Sequence, residues 1–354
     1  MALKALKYNA QAELPWQLHA VSNDLHRPPE TLPRCYAIGA LTRFVTAAAS
    51  FTLPAMSEFL FKRVTIIGPG LLGASLGLAL KGRGLAGHVA GVGRKDSPSL
   101  AVALQRGAVD TCFTDPGEAV QGSDLVVLAT ALGLFPDIFQ RITGNIGRET
   151  LVTDVGSTKQ QVMRWAAELL RPEALFVGSH PMAGSEKRGP EFARADLFQN
   201  AVCVICSPEH GGAGADSRRA AAVGRIDALW QSLGMRTCHM SAEMHDQRVA
   251  LVSHLPHAAA AGLVLAALSG DGHAADLAAT GFLDTTRVAS GDVDVWTDIF
   301  QTNRPAVVDA LDQFTDQLNA LRSAMARGDE RAVREFLQSA AAMRQAMLRA
   351  RAGA

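Results

Sequence analysis

The chain has 354 residues, 48% hydrophobic and 19% charged, with a formal net charge of zero. That suits two ordinary domains with a sizeable core, and argues against nucleic acid or a membrane surface as a partner recognised through bulk charge. No apolar run reaches the roughly 18 residues that a membrane helix needs, and five scattered cysteines, an odd number, point to a reduced, cytoplasmic setting.

Residues 1–57 carry Pro15, Pro28, Pro29 and Pro33 and no sustained period, and are expected to form a poorly ordered N-terminal extension. The apolar patch from Ala37 to Leu53 is too broken for a secretory leader. From Phe61 the pattern becomes strand, glycine turn, helix. KRVTIIG, HVAGVG, DLVVLAT, LVTDVG, LFVGSH and AVCVIC read as six strands. Leu71–Lys81, Pro98–Gln105 and Lys159–Leu170 read as helices between them. This alternation predicts a parallel sheet covered on both faces over residues 58–241, and the glycine turn after the first strand, GPGLLG, makes that α/β domain Rossmann-type and dinucleotide-binding.

Cys203 and Cys206 have CxxC spacing, but residues three apart in a strand point to opposite faces, so both read as core thiols. After Ser241 the strands stop, and residues 242–354 read as an all-α domain. Glu243–Leu268 is a helical run interrupted by Pro256. In Arg304–Arg327 the residues Val308, Leu311, Phe314, Leu318, Leu321 and Met325 form one apolar stripe, and Asp329–Arg349 is a further amphipathic helix. Such stripes either fold on each other or bury against a second subunit, which favours a homodimer through the helical domain.

Gly68-x-Gly70-x-x-Gly73 follows the first strand directly and opens a helix at Leu71 and Leu72. In that context Gly68 permits the tight turn, Gly70 lets backbone approach a pyrophosphate, and Gly73 lets helix pack on strand. The helix N-terminus offers unpaired N–H donors to the phosphates. An NAD site usually places a carboxylate about 20 residues further on. Here Gly93 holds that place and Arg94 and Lys95 follow it. Either the two cations form a solvated turn, or the Arg94 guanidinium grips a 2′-phosphate. The missing carboxylate favours NADP over NAD, although Asp96 lies nearby.

Ligands of open α/β sheets bind outside the carboxyl ends of the strands. One such end carries Asp154 to Lys159, with Ser157 also suited to cap the following helix. Another carries GSHPMAGSEKRG, with His180 and Glu186 among small residues that leave room for a ligand. In SHLPHAAAA, His254 and His257 share a helix face, but no further ligands present themselves to complete a metal site. ATGFLDTTRVASGD adds Asp284 and Arg287, the latter either a surface ion pair or a grip for a substrate carboxylate.

In combination these segments resemble the prephenate/arogenate dehydrogenase family of tyrosine biosynthesis. The resemblance runs from about Phe61 to about Asn319. It rests on GPGLLGAS, DVGSTK, GSHPMAGSEKRGP, LVSHLPHA, GFLDTTRVA and VWTDIFQTN, in family order. It implies oxidative decarboxylation of a cyclohexadienol acid with hydride transfer to a nicotinamide. It implies His180 as the group that polarises the ring hydroxyl, Ser157 as its helper, and Arg287 as the carboxylate anchor. His257 and Asp284 would line the same pocket. Glu186 would stand at its mouth, as a gate or as an ion-pair partner. Thr130 would lie beside the nicotinamide ribose, and Ala131 stands where many relatives have proline. Prephenate is the favoured substrate and arogenate the alternative. Two other readings are an NADP-linked β-hydroxyacid-type reductase, which usually relies on lysine or serine/threonine chemistry, and a non-catalytic NADP-sensing protein.

Overall fold

The computed structural model describes residues 59–184, 187–206, 217–270 and 273–352. The extension expected over residues 1–57 lies outside them. The first part alternates strand and helix: β1 (Phe61–Ile67), α1 (Leu71–Gly82), β2 (Ala86–Val92), α2 (Pro98–Gln105), β3 (Thr111–Phe113), α3 (Pro116–Ala119) and β4 (Leu125–Leu128). It continues with α4 (Phe135–Ile142), β5 (Leu151–Asp154), α5 (Gln160–Leu169), β6 (Leu175–Pro181), β7 (Val202–Cys206), α6 (Ser217–Ser232) and β8 (Arg236–His239).

The eight strands form one sheet in the order β3-β2-β1-β4-β5-β6-β7-β8. β1, β4 and β5 end in buried apolar or hydrogen-bonded residues because both sheet faces are covered. One layer is built on Trp230, Phe198, Leu76 and Leu80, the other on Phe135, Phe139, Ile142 and Val162. One pairing departs from the wholly parallel sheet expected: β7 runs antiparallel to β6. The segment joining them contains only a 3₁₀ turn, Pro190–Phe192, among its described residues. A parallel return needs a long crossover, usually a helix, and without one the strand reverses. β3 and β8 escape the hydrophobic pattern because they are three and four residues long and only partly buried. Cys203 and Cys206 are buried, unpaired thiols in β7. Burial pushes the Cys203 thiol well above its ordinary value and Cys206 to about 12, so both stay protonated.

The second part is helical: α7 (Ala242–Val249), a π-helical turn (Ala250–His254), α8 (Leu255–Leu268), α9 (Thr280–Thr286), a 3₁₀ turn (Arg287–Ser290), α10 (Val293–Thr302), α11 (Arg304–Ala326) and α12 (Glu330–Ala352). Pro256 lies inside one continuous helical run, two residues past the π-helical turn, whose wider winding accommodates the ring and the missing N–H, so the run is not broken there. The resulting 27-residue helix, Ala242–Leu268, is long and apolar enough by composition to cross a membrane, contrary to the expectation that no such run exists. Yet its His245, Asp246, His254 and His257 are buried within the chain. The stripe expected on α11 is buried only in part within this chain: Leu311, Phe314 and Leu321 are partly buried, Leu311 against Val307 and Ala310. Val307, Ala310 and Ala324 turn inward, whereas Val308, Leu318 and Met325 are exposed. Leu265 of α8 and Met343 of α12 are exposed too.

α1 lies against the chain just before β3 at a contact with no room for a methyl group. A Cβ at Gly77 would stand 2.1 Å from the Ala108 carbonyl oxygen, and backbone cannot step aside as a flexible side chain can. Gly77→Ala is therefore expected to destabilise by about 1–3 kcal/mol despite alanine's better helix propensity. Chemical denaturation checks this, and unchanged stability would refute the close approach.

Candidate active site

The sheet register sets strand ends side by side: Ile67 of β1 pairs with Leu128 of β4, and Leu128 with Asp154 of β5. The glycine turn leaves β1 at this edge. Gly68 has φ of 90°, a left-handed conformation that favours glycine, and a Cβ there would stand 2.6 Å from Thr130 Cγ2. Gly73 is equally confined, its Cβ position 2.5 Å from the Gly68 carbonyl oxygen. Gly70 is the opposite case: nothing lies within 4 Å of its Cβ position. Open space at the middle glycine, beside the first-turn N–H groups of half-buried Leu71 and Leu72 and of Gly73, fits a dinucleotide pyrophosphate. Thr130 packs its methyl against the turn, so it reaches the cofactor side as a buttress of Gly68. Arg94 is exposed just beyond β2, and Gly93 between them packs on Leu100.

The next strand end is built on a buried ion pair. Lys159 and Asp154 are both fully buried, and the ammonium donates to the carboxylate and to the Thr158 carbonyl. Burial raises the pKa of the Asp154 carboxyl, opposed by Lys159 and by two backbone N–H groups. Those N–H groups belong to Gly156 and Ser179, at 2.8 and 3.1 Å. One carboxylate thus fixes the turn that presents Ser157 and the strand that presents His180. Ser157 does not cap α5 as its position suggested. The helix starts three residues later, and its N–H groups at Lys159 and Gln160 donate to Asp246, 2.8 Å each.

His180 lies in β6, near its carboxyl end, at 9% exposure. Its Nδ1 is 2.8 Å from His245 Nε2, and His245 Nδ1 is 2.7 Å from the Asp246 carboxylate. All three side chains are buried. Burial, then the fields of His245, Lys159 and His254, hold the His180 pKa well below the ordinary 6.5, so the ring is neutral near pH 7. His245 and Asp246 are functional candidates that sequence reading missed. Adjacent His and Asp on a helix are unremarkable until the fold sets them against a strand 65 positions away.

His257 of α8 stacks on Trp296 of α10, ring centroids 3.6 Å apart and planes 12° apart. Its Nδ1 is buried without a hydrogen-bond partner among the described residues. Gly291 closes over this stack, its Cβ position 2.4 Å from Trp296 Nε1 and 2.9 Å from His257 Cε1. The 3₁₀ turn that starts at Arg287 packs against α8, the helix that carries His257. Arg287 and Asp284 are both exposed. His254 is buried and does not pair with His257; its Nδ1 meets Asn303 Nδ2 at 3.1 Å, and that amide also donates to the Asp246 carbonyl. Glu186 lies outside the described residues. α10 also joins the two halves, accepting from Gly133 N–H through Asp298 and bonding Thr158 through Thr302. Arg188 forms an ion pair with Asp292 at the start of α10. No group of three or more His, Cys, Asp and Glu is placed to hold a metal ion among the described residues.

A glycine-turn Rossmann domain with a buried neutral imidazole at its carboxyl edge, roofed by helices, defines a two-domain nicotinamide-dependent oxidoreductase. Residues 76–235 match the family model described as prephenate dehydrogenase, nucleotide-binding domain, and residues 241–339 match its dimerization domain. The chain belongs to the prephenate dehydrogenase family. It is 33% identical to a cyclohexadienyl dehydrogenase of Zymomonas mobilis, over 76% of this chain and 90% of that one. It is 30% identical to a prephenate dehydrogenase of Bacillus subtilis, over 78% and 74%. Among solved structures it resembles prephenate dehydrogenase from A. aeolicus in complex with hydroxyphenyl propionate and NAD+. The TM-score is 0.73 and the identity 27%, covering 83% of this chain and 99% of that one. Synechocystis arogenate dehydrogenase is similar at TM-score 0.68 and 27% identity, covering 80% and 99%.

The buried imidazoles give the fold a pH dependence. Burial lowers the pKa of His180, His245, His254 and His257, His254 to about 4. The unfolded chain therefore binds more protons than the folded one below about pH 6.5, and stability falls on acidification. His254 alone, between 6.5 and about 4, contributes on the order of 3 kcal/mol that is lost across that window. Asp154 acts in the opposite sense, one group against four. The melting temperature is expected to drop steadily from pH 7 to pH 4.5, and a flat profile would contradict the neutral buried rings.

Proposed function

We propose that this enzyme oxidises and decarboxylates prephenate at the carboxyl edge of the sheet, with His180 as the base. The observation that carries this reading is the state of His180: buried, neutral, and occupied at Nδ1, which leaves Nε2 for a substrate hydroxyl. Gly68, Gly70, Leu71, Leu72, Gly73 and Thr130 hold the dinucleotide, and Arg94 stands where a 2′-phosphate would lie, favouring NADP over NAD. The nicotinamide, when bound, supplies the hydride acceptor.

This chain's residues supply position and proton transfer. His180 Nε2 accepts the proton of the ring C4 hydroxyl as that carbon is oxidised, and Ser157 supports the same hydroxyl from the neighbouring turn. Arg287 binds a substrate carboxylate, with His257 and Asp284 lining the pocket. The ring carboxylate departs as carbon dioxide, and aromatisation drives that loss, so no separate acid is needed. The main demand on the protein is orientation in a water-poor site. Arogenate is the second reading, favoured by the likeness to a structure of that name. The exposed apolar lines on α8, α11 and α12 support a homodimer through the helical domain, which we place from residue 242 onward after a dinucleotide domain over residues 58–241. We place the enzyme in the cytoplasm.

A four-way assay of prephenate and arogenate with NAD+ and NADP+ tests the assignment; no nicotinamide reduction in any arm would refute it. His180→Asn should lose at least a hundredfold in kcat while still binding substrate, and near-normal turnover would remove His180 from the chemistry. The acidic limb of kcat/KM should lie below pH 6.5, the ordinary histidine value, because only the neutral ring accepts a proton. Arg287→Ala should mainly raise KM, by tenfold or more if a carboxylate loses a charge-assisted partner. An unchanged KM would take Arg287 out of the pocket.

A further inference from the structure

We infer that Asp246, acting through His245, fixes the tautomer and ring orientation of His180, and that His245 and Asp246 are positioning residues for the reaction. The inference rests on the reading of His180 as the base. Asp246 accepts a backbone N–H on each oxygen, from Lys159 and Gln160, so it meets His245 as an acceptor. His245 must then carry its proton on Nδ1, and its Nε2 is a bare lone pair. That lone pair faces His180 Nδ1 at 2.8 Å, so His180 must donate from Nδ1. The remaining nitrogen, Nε2, is left unprotonated, which is the form a proton acceptor needs.

The alternative tautomer is costly. With its proton on Nε2, His180 would set its bare Nδ1 against the bare His245 Nε2 in a buried space, leaving both lone pairs unsatisfied. The arrangement is rigid because each member is held elsewhere. Asp246 caps α5, its carbonyl accepts from Asn303 Nδ2, and Ser179, next to His180, donates from its backbone N–H to Asp154. The groups around His180 are Lys159 and Asp154 from the β5–α5 side, Cys203 from β7, and His245, Asp246 and His254 from the helix above. Among them, the contact to His180 Nδ1 comes from His245.

The test is ¹⁵N-histidine NMR of the full chain beside steady-state kinetics, with His180→Asn identifying the His180 resonances. In the wild type, His180 is expected in the Nδ1–H form. In His245→Phe, which removes the acceptor, the Nε2–H form should gain at least a third of the population. That variant's kcat should fall at least tenfold, with both KM values within twofold. His245→Gln, whose amide oxygen can accept from the same N–H, should recover most of the loss and the original tautomer. A wild-type His180 protonated on Nε2 would overturn the inference without relying on any variant's folding. So would full turnover in His245→Phe, or equal losses in Phe and Gln variants with the tautomer unmoved. Loss of turnover in His180→Asn with no effect of His245→Phe sinks the positioning role and keeps the base. Survival of turnover in His180→Asn sinks the base reading, and the NMR arm then judges the tautomer coupling by itself.

Discussion

The Asp246 carboxylate is the point on which the two halves of the site depend. It leaves the helical region, caps α5 beneath the Ser157 turn, and orients His245 toward His180. A carboxylate in this position would be expensive to bury without partners. Here three N–H groups compensate it, from Lys159, Gln160 and His245. Ion pairing alone would be a poor account of this arrangement. Hydrogen-bond direction is what matters, since direction determines which nitrogen of each imidazole is bare.

The buried Lys159–Asp154 pair plays a complementary part from the sheet side. Pairs of this type often add little net stability, because desolvation offsets attraction. Its value lies in geometry: Asp154 ties Gly156 and Ser179 together, so adjacent strand ends cannot shift independently. The cofactor turn is fixed by a different means. Gly68 and Gly73 are held by contacts with no spare volume, while Gly70 is left open. The site therefore combines polar direction on the substrate side with steric confinement on the dinucleotide side.

Much of this was legible in the sequence because it lies in local pattern. The strand–glycine–helix unit announced the dinucleotide turn, and apolar strands announced the doubly covered sheet. His180 stood out in a loop of small residues. The antiparallel β7 was not legible, because direction depends on what fails to form between two strands rather than on the strands themselves. Nor was the His245–Asp246 pair, whose meaning arises only from a partner distant in sequence. Ser157 was also suited by its position to cap α5, whereas the cap is the Asp246 carboxylate of α7. The α11 stripe was correctly apolar, yet periodicity cannot say how much of a face the same chain covers, and here Leu311 joins Val307 and Ala310 in the intrachain contact while Val308, Leu318 and Met325 stay exposed.

The π-helical turn at Ala250–His254 has a consequence for how this region can vary. It separates His245, which faces the sheet, from His257, which stacks on Trp296. A π turn carries about one residue more than an α turn. That turn absorbs its extra residue locally, so losing one residue there would restore a plain α turn and leave His245 and His257 in phase. One residue more would turn everything beyond by roughly 100° and swing His257 away from Trp296. The turn is therefore the place where this helix tolerates a loss in count without losing the alignment between the His245–His180 contact and the His257–Trp296 stack.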